Sequence, residues 1–443
     1  MNVVDSEIVT SILLKHNYQL TDIIEEADII LFNTCSIRDK AEQTLLYKLD
    51  YIKHLKKNKN IIVGILGCMA QRLNNELLKY NSVDFVAGTD SYRKLPNILE
   101  DIFNNKWKNK INSTDFDYSE NYEDITPEYK NKISAFIPIA RGCNNMCSYC
   151  VVPYTRGPEK SRNINSIIKE VEDLSSKNYK EITLLGENVN SYCFEDIENN
   201  KTYNFANLLE IVANIDKNIR IRFTSSHPKD LTNDIIDIIS KYDNICKHIH
   251  LPVQSGSDKI LKLMNRPYNK EQYLNIINKI REKIPDCAIS TDIMTGFCDE
   301  TEEDHKETLD LIDKVKFDFG FTFIYSERSG THSAKYLKDN VDNETKNRRL
   351  NEIIDLQRKY YLENNQKCIG KTYQILVEGQ SSKNENVNKN QENNEISNNE
   401  WFGRNTNNRV IVFKNVDNKV KIGDIIEVKV NNCTSATLLG EII

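Results

Sequence analysis

Three cysteines fall within eight residues in the stretch Arg141-Gly142-Cys143-Asn144-Asn145-Met146-Cys147-Ser148-Tyr149-Cys150. Thiolates at C-x3-C-x2-C spacing can wrap three irons of a [4Fe-4S] cube and leave the fourth iron without a protein ligand, open to a small molecule. A fourth cysteine would close the cluster for electron transfer alone. Zinc sites favour paired C-x2-C knuckles, and no second pair follows here; zinc or chance spacing is the alternative. Cys35 and Cys68 are the next candidates, because each directly follows an apolar, strand-like run (Ile29 to Thr34 and Ile61 to Gly67). At the carboxyl ends of parallel strands they would face one crevice and could share a ligand. Small buried thiols are the plainer reading of the same two residues.

The elements that must position these cysteines read as three units. Residues 1–103 alternate helix-like and strand-like periods: helices over Ser6–His16, Ala41–Leu55 and Asn74–Tyr80, strands over Asp28–Phe32, Ile61–Leu66 and Val83–Ala87. That pattern predicts a small α/β unit with a parallel sheet. Residues 104–132 are polar and aperiodic and read as a linker. From 133 to 368, six strand-like runs (Phe136–Ala140, Glu181–Leu185, Ile219–Thr224, Cys246–Leu251, Ala288–Met294, Phe317–Tyr325) alternate with helical stretches. Six β/α units predict a partial barrel whose strand-end loops carry the chemistry. A long charged helix over Glu344–Asn364 leads out of it. Residues 371–443 then change to short strands (Thr372–Gly379, Val410–Phe413, Ile425–Val430, Ala436–Ile443), as in a small β-barrel. Residues 381–400 interrupt that barrel with Asn, Lys, Glu and Ser, a low-complexity insertion with little to bury.

The chain has 443 residues, 39% hydrophobic and 28% charged, long enough for several domains. It has no apolar run of about 18 residues, so no membrane span is expected. Met1 to Lys15 carries Asp5 and Glu7 in a helical pattern, which suits neither a signal nor a transit peptide, and a cytoplasmic location is expected. With 59 Lys+Arg against 65 Asp+Glu, any basic surface for nucleic acid must be local. Eleven cysteines, odd in number and scattered, do not fit a secreted disulfide framework.

The thiol run with its continuation Val151-Val152-Pro153-Tyr154-Thr155-Arg156-Gly157 resembles the signature of the methylthiotransferase family of radical S-adenosylmethionine enzymes. Agreeing stretches are Asn33-Thr34-Cys35-Ser36-Ile37-Arg38, Gly67-Cys68-Met69-Ala70-Gln71-Arg72, Leu185-Gly186-Glu187-Asn188-Val189-Asn190, His250-Leu251-Pro252-Val253-Gln254-Ser255-Gly256-Ser257 and Tyr325-Ser326-Glu327-Arg328. Within that family the chain is similar to the branch that puts a methylthio group on C2 of isopentenylated adenosine beside the tRNA anticodon. Relatives acting on threonylcarbamoyl-adenosine in tRNA or on a ribosomal protein are the nearer alternatives, and an RNA-binding iron–sulfur protein without catalysis the more distant one.

The resemblance implies a methylthiotransferase N-terminal domain, a radical S-adenosylmethionine core and a TRAM RNA-binding domain, with two [4Fe-4S] clusters and S-adenosylmethionine as cofactors. Cys143, Cys147 and Cys150 would hold the first cluster. Cys35 and Cys68 match two of three ligands of a second, on which sulfur is held; the third is expected upstream of Met1-Asn2, with the domain's first strand, so the chain is read as starting late or as a fragment. Tyr149 would pack against the cofactor adenine or fill its loop. Glu187 stands where the family has Gln, as acceptor for the methionyl ammonium. Gln254 and Ser255 would contact ribose or cap a loop. Cys298 and Ser329 replace family prolines and read as drift, His227 reads as a packed loop residue rather than a base, and Cys193, Cys246, Cys287, Cys368 and Cys433 as buried thiols.

Expected partners are a tRNA carrying isopentenylated adenosine, a one-electron donor and a sulfur donor, for a monomeric enzyme. Trp401 to Ile443 holds six basic and four acidic residues. Trp401 and Phe402 beside Arg404 and Arg409 could stack on bases and meet phosphates, or the aromatic pair could close the small barrel.

Overall fold

The computed structural model describes all residues except 37–38, 105–109, 382–398 and 416–418, and the side chains of 39–41. The insertion foreseen at 381–400 therefore lies almost wholly outside the described residues.

The first sheet is parallel, in the order β1 (Ile29–Asn33), β2 (Ile62–Leu66), β3 (Phe85–Ala87), β4 (Ile111–Ser113). Alternation along β2 divides the apolar residues between two faces. Ile62 and Leu66 meet Val4, Ile8 and Ile12 of the helix Asn2–Lys15 and Leu95 and Leu99 of the helix Leu95–Phe103. Val63 and Ile65 meet Leu45, Leu49 and Ile52 of the helix Asp39–Leu55 on the other. Residues 104–132 are more than the linker expected: they supply β4 and bury Tyr122, Ile125 and Tyr129. Tyr122 stacks on Tyr92 at 5.4 Å, and its hydroxyl donates to Thr89 O at 3.0 Å. Isolated aromatic anchors carry no period, so the polar residues between them dominated the pattern. The helix expected over Asn74–Tyr80 is a 3₁₀ turn, Asn74–Lys79, preceded by a short helix, Cys68–Leu73.

The core opens with β5 (Ser134–Pro138), followed by a short antiparallel pair, β6 (Ala140–Arg141) and β7 (Lys160–Ser161). Then come β8 (Glu181–Leu185), a hairpin of β9 (Cys193–Asp196) and β10 (Lys201–Asn204), β11 (Arg220–Phe223), β12 (His248–His250), β13 (Ala288–Thr295) and β14 (Phe319–Ile324). Six of these run parallel in the order β5, β8, β11, β12, β13, β14, the two triplets being joined by the bridge Ile221–Ile245. β5 and β14 do not pair among the described residues, so the expected partial barrel is open on one side. Outward residues Ile137, Ile182, Leu184, Ile221, Ile249 and Ile289 form one core with the surrounding helices.

The tail is a closed barrel in the order β15 (Thr372–Gln380), β16 (Glu400–Arg404), β17 (Val410–Lys414), β19 (Leu438–Ile442), β18 (Ile425–Cys433). It docks on the amino ends of the core strands. Arg220 donates to Arg404 O at 2.9 Å and Gln374 O at 3.0 Å, and Arg222 donates to Asn405 O at 2.7 Å while pairing with Glu181 at 2.8 Å. Among the described residues no helix is long and apolar enough to cross a membrane.

Candidate active site at the carboxyl ends of the strands

The thiol loop begins where β6 ends. Gly142 adopts φ +81°, and a Cβ there would stand 2.1 Å from Pro158 O, so only glycine lets the chain fold back toward Gly157 and present Cys143. Ser148 ties the loop down: its N–H donates to Met264 O at 3.0 Å and its hydroxyl to Leu263 O at 2.8 Å. Each thiol receives an N–H donor. Asn145 N–H points at Cys143 Sγ (3.5 Å), Val152 N–H at Cys150 Sγ (3.5 Å) and the Arg266 guanidinium at Cys147 Sγ (3.4 Å). Donors aimed at sulfur suit thiolates, and such bonds tune iron–sulfur clusters. Burial pushes the Cys143 thiol up to about 11 and the Cys150 thiol up to about 12, so a bound cationic cluster is what would hold them deprotonated. The residues thus fit a [4Fe-4S] cluster. Among the described residues no three His, Cys, Asp or Glu side chains close on a single-ion site.

Cys35 and Cys68 follow the paired parallel strands β1 and β2 and are close enough for each to act on the other's charge. Gly67 (φ +85°), where a Cβ would lie 2.4 Å from Asn33 Oδ1, turns the chain so that Cys68 opens the helix Cys68–Leu73. Met69 N–H donates to Thr34 O at 3.3 Å, which draws the ends of β1 and β2 together. Burial pushes the Cys68 thiol up; the Arg156 charge opposes this and the neighbouring Cys35 adds to it. Arg156 closes the short helix Val152–Arg156 that follows the thiol loop, and its charge reaches Cys68 of the N-terminal unit.

Arg156 belongs to a buried network. Asp5 takes Arg141 on Oδ1 (2.9 Å) and Arg156 on Oδ2 (2.6 Å), and Arg156 Nε also pairs with Glu187 Oε1 at 3.0 Å. Burial alone would raise the Asp5 carboxyl; the charges of Arg156 and Arg141 outweigh it and hold the group well below the usual carboxylate range. Glu187 also accepts from Gly142 N–H at 3.0 Å, directly beside Cys143. An ammonium there would be its third partner.

Tyr149 lies edge-on to Phe297 at 6.3 Å. Gln254 has φ +70° and clips its backbone onto β13 through Asp292 O and Met294 N. Ser255 is fully buried, its hydroxyl accepting from Ser257 N–H at 3.2 Å and facing Thr308, the geometry of a loop cap. Ser329, read as drift, accepts from Arg72, which also reaches Ser36 and Glu42; it links the N-terminal sheet to the core. Cys298 packs with Met264, Phe297 and Tyr325. Cys246, Cys287 and Cys368 are buried as expected, but Cys193 is exposed on the β9–β10 hairpin and Cys433 is half-buried.

In the tail, Trp401 packs against the barrel interior and donates to Asn399 Oδ1 at 2.9 Å; Phe402 is half-buried. Arg404 pairs with Glu378 at 2.5 Å. Arg409 departs from the expected RNA face. It pairs with Asp318 at the foot of β14 and donates to Asn365 at 2.6 Å, because the carboxylate buried in the domain joint needs a counter-charge. Sequence reasoning also missed Asp5, Arg141, Arg156 and Arg266. Arg141 and Arg156 flank the cysteine motif and could have been suspected; nothing local marks Asp5 or Arg266.

Residues 137–312 match the Radical SAM superfamily, residues 1–88 the Uncharacterized protein family UPF0004 and residues 366–443 the TRAM domain. With the open parallel barrel and its thiol loop, these matches define a radical S-adenosylmethionine enzyme fitted with an RNA-binding module. The chain is 48% identical over its whole length, and over 93% of the relative, to tRNA-2-methylthio-N(6)-dimethylallyladenosine synthase of Bacteroides fragilis. It is 49% identical over its whole length, and over 96% of the relative, to the protein of that name from Karelsulcia muelleri. It belongs to this family. Among solved structures it resembles in fold the radical S-adenosylmethionine methyltransferase TsrM of Kitasatospora setae (TM-score 0.54, 13% identity, covering 72% of this chain and 69% of that one).

Proposed function

We propose that this protein methylthiolates C2 of N6-dimethylallyladenosine beside the anticodon of tRNA. The observation that carries the reading is the set of three thiols, each met by an N–H donor in the loop between β6 and β7 of an open parallel barrel. Cys143, Cys147 and Cys150 would hold a [4Fe-4S] cluster, and Cys35 and Cys68 would contribute to a second. When bound, the first cluster and S-adenosylmethionine supply a 5′-deoxyadenosyl radical able to take hydrogen from an unactivated C–H.

The chain's own residues do the rest. Arg266 neutralises charge at Cys147, and Glu187 offers a carboxylate beside Cys143 for the methionyl ammonium. Tyr149 would pack against the cofactor adenine and Gln254 would contact ribose, while Ser255 holds the loop. The Asp5–Arg141–Arg156–Glu187 network fixes the N-terminal sheet against the core, so the distance between the two cysteine groups is set before substrate arrives. Trp401, Phe402 and Arg404 offer RNA contacts, Arg409 acting through the domain joint. A one-electron donor and a sulfur donor complete the partners, and we assign the enzyme as a cytoplasmic monomer.

The test is anaerobic reconstitution with iron analysis, followed by mass spectrometry of nucleosides from isopentenylated tRNA. The methylthio product is expected from the wild type and not from the Cys143→Ala, Cys147→Ala, Cys150→Ala variant. A variant that kept its iron and still cleaved S-adenosylmethionine would refute the assignment.

A further inference from the structure

The loops after β8 and β11 contain five buried side-chain atoms without a hydrogen-bond partner: Asn188 Oδ1, both amide atoms of Asn190, Ser226 Oγ and His227 Nε2. All four residues are at least nine-tenths buried. A buried polar atom left without a partner is costly, so five together are poor structural material and point to a ligand that satisfies them. The loops form one unit, since Val189 N–H donates to Ser225 O at 3.2 Å. They also adjoin the thiol loop. Lys229 reaches Asn145 Oδ1 at 2.8 Å, and the His227 ring meets Tyr268 edge-on at 5.8 Å. The Tyr268 hydroxyl accepts from Arg266 at 2.8 Å, and Arg266 donates to Cys147.

The chemistry of the missing ligand follows from the donor and acceptor inventory. His227 Nδ1 accepts from Lys229 N–H at 3.2 Å, so the neutral ring carries its proton on Nε2, and burial with the Arg266 and Lys229 charges keeps it neutral. Asn188 Nδ2 is fixed on Asp230 Oδ2 at 2.7 Å, which leaves its oxygen as the free acceptor. Both Asn190 amide atoms are orphaned, so either orientation of that amide gives the same set. The two loops therefore offer donors from Ser226, His227 and Asn190 and acceptors from Asn188 and Asn190, with no charge among them. Two acceptor oxygens would repel a carboxylate or phosphate. The nearest cations are already committed: Lys229 to Asn145, Arg266 to Cys147 and Pro252 O, and Arg156 to Asp5 and Glu187.

A neutral ligand edge with both donors and acceptors is that of a purine. We propose that Asn188, Asn190, Ser226 and His227 hold the base edge of the target adenosine, donors meeting the ring nitrogens N1 and N3 and an asparagine oxygen meeting the N6–H. This rests on the function proposed above and names the residues that orient its substrate. The placement has a purpose, because C2 lies between N1 and N3, and holding both nitrogens fixes the reacting carbon. The adenine of S-adenosylmethionine is the other source of the same edge, and the experiment separates the two.

Reconstituted holoenzyme is titrated with three anticodon stem-loop oligonucleotides carrying dimethylallyladenosine, its 1-deaza form or its 3-deaza form, and separately with S-adenosylmethionine. The wild type should bind the intact ring about tenfold more tightly than either deaza ring, the loss of one or two neutral hydrogen bonds. An Asn190→Ala, Ser226→Ala variant with unchanged iron content should lose its preference for the intact ring over at least one deaza ring, with S-adenosylmethionine affinity within about twofold of wild type. Equal wild-type affinity for the three oligonucleotides overturns the proposal and needs no variant to fold. So does a variant that loses S-adenosylmethionine affinity while still discriminating the three rings. Failure of the underlying function would appear separately, as an intact ring that is bound but yields no methylthio product.

Discussion

Arg156 Nη2 donates to Asp5 Oδ2 at 2.6 Å, joining the helix that follows the thiol loop to the first helix of the N-terminal sheet. Asp5 also holds Arg141, and with Glu187 on Arg156 two carboxylates balance two buried guanidiniums.

Replacing Asp5 by Asn should therefore destabilise the chain strongly, by about 3–5 kcal/mol, since it strands buried cations. Denaturant unfolding measures it, and Asp5→Glu should recover part of the loss. The pH dependence has a definite sign. A carboxyl held low in the folded state stabilises fully above its unfolded value and loses that contribution as pH falls, here below about pH 4. Wild-type stability should fall on that acid limb, and the Asn variant should show a shallower one.

Arg266→Gln removes the positive charge beside Cys147. Positive charge favours the reduced, more negative cluster, so the reduction potential should drop on the order of tens of millivolts with iron content retained. Potentiometry followed by electron paramagnetic resonance reads the shift; an unchanged or higher potential would contradict the assigned contact.

Among the cysteines outside the loop, position rather than residue type decides the outcome. Cys298→Ala leaves a small void among Met264, Phe297 and Tyr325 and should cost about 1 kcal/mol without loss of iron. Cys68→Ala should lower total iron per chain while cleavage of S-adenosylmethionine at the first site continues. Equal iron in Cys68→Ala and wild type would remove Cys68 from the ligand set.

The two arginines of the tail should separate. Arg404→Ala frees a half-exposed pair with Glu378 and should weaken tRNA binding several-fold at low salt, with thermal stability close to wild type. Arg409→Ala leaves Asp318 buried without its counter-charge and should loosen the small barrel from the core, seen as faster hydrogen exchange across β17. If Arg409→Ala changed only RNA affinity, the joint would not be its role.

Much of this protein was legible along the chain because its signals are local. The cysteine loop places three thiols within eight residues, a spacing that points to an open cluster. The six core strands and four of the five tail strands declare themselves by short apolar runs between turns and appear within a few residues of their expected places; β16 (Glu400–Arg404), beside the polar insertion, is not so marked. What the order of residues does not record is pairing across distance. Asp5 finds partners 136 and 151 residues away, and Arg266 reaches a thiol 119 residues before it. Arg409 looks like any basic residue of an RNA-binding tail until the docked barrel sets it against Asp318. Tyr122 looks like linker until it stacks on Tyr92. A single ionic or aromatic anchor has no periodicity, and its energy exists only once the folded chain has excluded water around both partners. The sequence by itself determined the cluster loop and the three folding units; the tertiary structure alone decided which charges hold those units together and which buried polar atoms remain for the substrate.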